Sequence, residues 1–414
     1  MSPMKETSPP AKKRRAEEET VEEEEGERSK DDEGEDDWES EDEVDEDVDV
    51  VDEDSEDEED SDDGESDTPT PAEDAFDEDH DVPPPLNLES NPCCLSMHPS
   101  EDLVALGTIE GEIMVYNYST QGNTLKSKVK AHKKASRGIK YNADGKLLFS
   151  ISKDKSIKVI DAEEMKTVSD IKNAHLSSLY AFSFIDDWLF ATGDEDGAVR
   201  IWDHRTSDKS PVHEFKESED YIADLLIEPE KKKVLLAASA EGTLTAFDIR
   251  KKKTIMQSEV FDEEFLSLAL VKDKKIVCGG SDGSFEIFNW EEFGYIVNAM
   301  KSISKASIDS MVALSDSVVV YGCGDGNIRA ANFFPNKPLG IIGKHSEFPV
   351  LTIAADREKK LVASTSGEPF VKFWSVEGLE EKASMKRGKG QDLKMAMNTK
   401  KNNFFAGLLD DPAD

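Results

Sequence analysis

Imidazole is the commonest general base near neutral pH, so the seven histidines are the first residues to weigh for catalysis. His132, His175 and His345 stand at equivalent places ahead of repeated strand-like segments. A side chain that recurs in this way reads as a buried hydrogen-bonding group repeated with the architecture, not as a member of one active site. His98, His204 and His213 lack any spacing of the H-E-x-x-H kind that brings two imidazoles to one metal. Cys93, Cys94, Cys278 and Cys323 lie in apolar stretches with no C-x-x-C pair, which suits small buried side chains in a reducing compartment. The stretch from Gly322 to Gly326 lacks the Lys and Ser or Thr of a phosphate loop and reads as a turn. No catalytic constellation, metal, cofactor or small-molecule substrate is expected.

The elements that carry these residues repeat along the chain. A tight-turn pair sits between two strand-like runs at Glu110-Gly111, Asp154-Lys155, Asp196-Gly197, Glu241-Gly242, Asp282-Gly283, Asp325-Gly326 and, in weaker form, Glu368-Pro369. Successive turns are 41 to 45 residues apart. An acidic residue followed by Gly suits a hairpin, because Gly accepts the positive φ that matches the twist of the flanking strands. Around each turn comes a run ending in small residues, then an alternating strand that often ends in an aromatic, as residues 189–203 and 276–289 show.

These repeats resemble those of the WD-repeat family, in which each copy of roughly 40 to 45 residues makes one four-stranded propeller blade. The third copy matches best, with Ala174-His175 ahead of it, Asp196 in its turn and Trp202-Asp203 closing its third strand. The resemblance implies a hydrogen-bond chain through His175, Thr192, Asp196 and Trp202. The seventh copy keeps His345, Ser364 and Trp374, while the second keeps His132 and Asp154 but ends in Ile160. The implied fold is all-β, a seven-bladed propeller over residues 83–378. Family closure implies a strand within about residues 80–90 that completes the seventh blade and leaves no open sheet edge.

Charge divides the chain. Residues 1–82 hold 41 acidic and 7 basic residues, against 50 and 43 in residues 83–414. The acidic arm has too few apolar groups to offset the entropy of ordering and is expected to be disordered. Its charge suits basic partners such as ribosomal proteins or histones and repels nucleic acid. The cluster Lys12, Lys13, Arg14 and Arg15 fits a nuclear import signal, and Ser40 and Ser55, each followed by acids, fit acid-directed phosphorylation. Residues 379–414 read as a flexible tail, with a Lys-rich part able to reach RNA phosphates. A short apolar docking segment, Phe404, Phe405, Leu408 and Leu409, follows. No apolar run is long enough for a membrane span, so a soluble intracellular protein is expected.

Together the arm, the segment Asn91 to Leu95 and the tail run Lys400 to Phe405 resemble a nucleolar branch of the WD-repeat family, fungal members included. That branch is associated with ribosomal RNA production and ribosome assembly. The resemblance implies a non-enzymatic scaffold, a monomer within larger assemblies, binding pre-ribosomal factors. A rival reading starts from Trp202, Asp203 and Arg205, which resemble the W-D-x-R box of substrate receptors for cullin-four ubiquitin ligases, with a weaker echo ending at Arg250. A third, a histone chaperone, rests on the acidic arm.

Overall fold

The alternating runs around each turn pair as antiparallel hairpins. In the computed structural model, which describes residues 82–384, they build seven four-stranded sheets. The first sheet runs outward through Pro92–Met97, Leu103–Thr108, Glu112–Asn117 and Thr124–Lys130. Innermost in the next six are Ser136–Tyr141, Leu179–Phe184, Ile222–Ile227, Phe265–Val271, Ile308–Ala313 and Val350–Ala355. Each inner strand touches the next, and the last touches the first, so the sheets form the blades of a closed seven-bladed propeller.

The seventh blade is assembled from both ends of this unit. Leu86–Asn87 pairs with Phe370–Ser375, Leu86 opposite Val371, so the expected closing strand is present. Leu86 is buried beside Leu95, Leu106, Val371 and Phe373. Three more bonds fasten the seam: Leu88 N–H donates to the Pro369 carbonyl (2.8 Å), Asn91 Nδ2 to the Gly367 carbonyl (2.8 Å), and Thr352 Oγ1 to the Cys93 carbonyl (3.3 Å).

The turn pairs do more than reverse the chain. Gly111, Gly197, Gly242, Gly283 and Gly326 all lie at φ between +79° and +83°. The carbonyls of Gly242, Gly283 and Gly326 each accept an N–H from the loop leading to the next blade, from Phe261 (3.0 Å), Ser302 (2.8 Å) and His345 (2.8 Å). A Cβ at Gly197 would stand 2.3 Å from the Ser218 carbonyl oxygen, so this turn needs Gly for close approach as well as for its φ. Lys155 takes the same backbone shape at φ 67°, and its carbonyl still accepts from Ala174 N–H (2.8 Å). Pro369 plays this part in the seventh blade, with Leu88 as donor.

The small residues before each turn answer to packing between blades. A Cβ on Gly193 would fall 2.5 Å from Cβ of Ile222, and one on Gly322 would fall 2.5 Å from Cγ1 of Val350. Those two are inner-strand residues of the following blade, buried completely or nearly so.

A six-residue helix, Leu379–Ser384, follows the last strand. Leu379 is 2% exposed and packs against a cluster that includes Leu314, Ile342 and Val376, so the packed chain continues past the boundary expected at 378. Lys12 to Arg15, Ser40, Ser55, Phe404, Phe405, Leu408 and Leu409 lie outside the described residues. Among the described residues no helix is long and apolar enough to cross a membrane.

Gly322→Val is expected to lower stability by about 1–3 kcal/mol through overpacking against Val350. Thermal or urea unfolding of the variant checks this, and an unchanged midpoint would contradict the packing account.

Candidate interaction surfaces

The histidines form units with the geometry of a hydrolytic triad. Thr192 Oγ1 lies 2.7 Å from His175 Nε2, and His175 Nδ1 lies 2.8 Å from Asp194 Oδ2. Trp202 Nε1–H donates to the same Thr192 oxygen at 2.8 Å. One proton arrangement satisfies every group: Trp202 donates to Thr192, the Thr192 hydroxyl donates to Nε2, and Nδ1–H donates to the carboxylate. Thr192, His175 and Asp194 are at most 2% exposed, so no substrate reaches the hydroxyl. These are pins holding a blade together. The seventh blade repeats the unit with His345 Nε2 to Ser364 Oγ (2.7 Å), Trp374 Nε1 to Ser364 Oγ (2.8 Å) and Glu368 as the acid (3.3 Å). In the second, His132 meets Ser150 and Ser156, both at 2.9 Å, with Asp154 at 3.4 Å.

The acid in the third blade is a correction to the sequence reading. Asp194, the last residue of the strand Leu189–Asp194, holds His175, whereas Asp196 is exposed in the turn. Asp194 Oδ1 also accepts from Ala198 N–H at 2.8 Å and so ties the strand end across the turn. Burial opposes the Asp194 carboxylate, but the bonds from His175 and Ala198 outweigh it and hold its pKa below the ordinary value. In the second and seventh blades the acid does come from the turn, at Asp154 and Glu368. The sixth blade keeps none of these histidine units and instead pairs Arg329 with Asp325 at 2.6 Å.

A different set of residues faces outward at one mouth of the ring. Every inner strand has a register break near its start, after Pro92, Ser136, Leu179, Ile222, Phe265, Ile308 and Val350. These seven residues are buried. The unpaired residue that follows each is Cys93, Arg137, Tyr180, Ala223, Leu266, Asp309 or Leu351, and all seven are at least partly exposed. A bulge re-aims its side chain out of the ladder, so the ring offers one side chain per blade. Nothing in residue type marked them beforehand.

Charge and shape vary around that mouth. The Arg137 guanidinium sits 4.2 Å over the Tyr180 ring, and Tyr180 lies 5.1 Å from the Tyr221 ring. Burial, with Glu264 and Asp220 nearby, pushes the Tyr221 phenol up to about 12. Asp309 Oδ2 is buried without a hydrogen-bond partner, and burial raises its carboxyl pKa. Deeper among the inner strands, Lys140 is reached by solvent yet hemmed in, so its ammonium is held below the usual lysine value, with Asp224 opposing that shift.

The W-D-x-R residues divide between interior and surface. Trp202 is buried and spent on Thr192. Asp203 grips Arg205 through two contacts, at 2.9 and 2.6 Å, and Arg205 also lies 5.0 Å over the Trp188 ring. Arg250 is exposed, its Nη2 3.5 Å from the Lys231 carbonyl. Among the described residues no group of three or more His, Cys, Asp or Glu side chains is placed to hold a metal ion.

Two outcomes check the pins. Thr192→Val leaves Trp202 Nε1 and His175 Nε2 without partners and is expected to cost about 1–3 kcal/mol in urea unfolding. Burial, with Lys372 close by, lowers the His345 pKa to about 4, partly offset by Glu368, and burial also lowers that of His175. The stability these neutral rings contribute is therefore complete above their unfolded value near 6.5 and is lost as pH falls toward about 4. Melting curves across that window should fall for the wild type and flatten for His345→Gln, and identical slopes would contradict the assignment.

Comparison with known proteins agrees with this geometry. The WDR55 family profile matches residues 83–379, ending on the buried Leu379. A WD repeat-containing protein 55 homolog from Aedes aegypti is 36% identical over 337 residues, spanning 80% of this chain and 71% of the relative. WD repeat-containing protein 55 of Pongo abelii is 34% identical over 365 residues, 83% of this chain and 94% of the relative, and that of Bos taurus is 33% identical over 364 residues. With seven blades, a closing N-terminal strand and a match across the whole propeller, the chain belongs to the WD repeat-containing protein 55 family of WD-repeat propellers, which serve in protein interaction.

Proposed function

We propose that this protein is a non-catalytic scaffold of the nucleolus that supports ribosomal RNA processing and ribosome assembly, and that it holds basic protein segments at the bulge-lined mouth. The observation that carries the mouth assignment is Asp309. Its carboxylate keeps one buried oxygen without a hydrogen-bond partner and lies within electrostatic reach of Tyr221, whose ring pairs with that of Tyr180. An orphaned buried acceptor costs free energy unless a partner fills it. A lysine or arginine from a docked chain supplies both the donor and the opposite charge, and can stack on the tyrosine rings. Pre-ribosomal factors and ribosomal proteins are rich in such side chains.

The nucleolar part of the reading rests on sequence: the basic cluster at Lys12 to Arg15, the acidic arm and the Lys-rich tail. A rigid ring preceded and followed in sequence by charged segments can keep several partners together and raise their local concentration.

The test is affinity purification of the tagged full chain from nuclease-treated extract with mass spectrometry, comparing wild type with Tyr180→Ala/Asp309→Asn. Ribosome assembly factors captured by the wild type and lost from the variant are expected. Asp309→Asn alone should melt at or above the wild-type temperature, since it removes a charge that burial disfavours. Equal capture by both chains would remove the function from the mouth. A cullin adaptor without ribosomal factors would replace the reading with that of a ligase receptor.

A further inference from the structure

The opposite face of the ring carries the turns between the first and second and between the third and fourth strands of each blade. Three neighbouring turns there are unusually basic: residues 228–233 and 248–253 of the fourth blade and 272–275 of the fifth hold ten basic and four acidic residues. The body that bears them, residues 83–384, has 46 acidic against 37 basic residues, so the patch reverses the local sign of charge. Contacts make the three turns one surface. Ile249 N–H donates to the Lys233 carbonyl at 2.9 Å, and Lys274 Nζ reaches Glu230 at 3.0 Å and Glu228 at 3.6 Å.

Folding alone does not account for this concentration. Lys232, Lys252 and Lys274 each sit at positive φ, 50° to 56°, where Gly or Asn would relieve a cost of about 1 kcal/mol apiece. Lys231, Lys232, Lys253 and Lys272 have no ion pair among the described residues, and Lys231, Lys232, Arg250, Lys251, Lys252, Lys253 and Lys272 are exposed. Their mutual repulsion is left for a ligand to relieve.

A second feature lies on the same face. Trp188, 49% exposed, stacks with the His204 ring at 5.8 Å and 29°, while Arg205 lies over it at 5.0 Å. Lys252 Nζ donates to the Val212 carbonyl at 3.1 Å and so joins the loop from His204 to Val212 to the lysine turns. Lysines that act as point charges on phosphates, beside a half-exposed indole flanked by an imidazole and a guanidinium, supply the charge and the stacking groups that binding single-stranded nucleic acid without sequence preference requires. An acidic peptide would use the charge and leave the indole idle. A duplex would hide its base faces from it.

We propose that this face of blades three to five binds single-stranded nucleic acid, its phosphates on the lysine turns and a base on Trp188. The surface is separate from the protein-binding mouth and does not depend on that assignment.

The experiment is fluorescence anisotropy with the full chain and fluorescein-labelled 20-nucleotide oligouridylate or oligothymidylate between 50 and 200 mM KCl. Lys231→Gln/Lys232→Asn/Lys253→Gln/Lys272→Gln, which breaks no ion pair among the described residues, should weaken binding by about tenfold or more and lower the salt slope by about 2 to 3. Trp188→Ala should weaken binding several-fold with the slope unchanged, because stacking releases no counterions. Preference between the two strands identifies RNA or DNA as the occupant, and either supports the site. The proposal is overturned if the quadruple variant binds as the wild type does. It is equally overturned if binding vanishes when Lys386, Arg387, Lys389, Lys394, Lys400 and Lys401 of the tail are changed to Gln, or if polyglutamate displaces the strand and Trp188→Ala has no effect.

Discussion

Everything in this propeller depends on the pairing of Leu86–Asn87 with Phe370–Ser375. A blade's sheet buries its faces only against the blades on either side, so a ring that fails to close leaves the first and last blades each with a bare apolar face. Two residues of ladder are a short clasp. They suffice because Leu86 is driven into a cluster shared by blades one and seven, and because Leu88, Asn91 and Thr352 add bonds across the same seam. The closing segment lies directly after the acidic arm in sequence.

Rigidity within each blade has a different origin. The His175 unit takes four polar side chains out of water and satisfies them in a single proton arrangement, which fixes the loop before the blade against its second and third strands. The same geometry that would make a nucleophile in an open cleft makes a pin in a closed one. Burial decides between the two, as the near-zero exposure of Thr192 and Ser364 shows. With the frame held in this way, the bulged residues and the loop lysines are free to vary, and those are the positions that can meet partners.

Much of the fold was legible in the sequence, and for a physical reason. A hairpin turn needs a residue tolerant of positive φ, so Gly recurs at intervals set by blade length, and counting those turns counts the blades. The eroded turn at Glu368-Pro369 could be placed because its neighbours constrained it, and Pro369 accepts the bond its position demands. Asp194 and Asp196, two aspartates within three residues, both suit the motif, and only the strand's register shows which one points inward. The mouth was invisible for a related reason: a bulge changes where Arg137, Tyr180 and Asp309 point without requiring a particular residue type. The lysine face was hidden by distance along the chain, three separate charge runs that only the turn contacts join. Leu379 read as tail because its apolar partners lie far back in sequence, at Leu314 and Ile342.

Closure underlies both faces, so the most direct measurement is hydrogen exchange by mass spectrometry on the native full-length chain, following peptides that cover residues 84–90. Protection of the Leu88 amide comparable to that of the strand Leu103–Thr108 is the result expected of a clasp that opens only with the ring. Exchange there at the rate of unstructured peptide, while the blades stay protected, would contradict it.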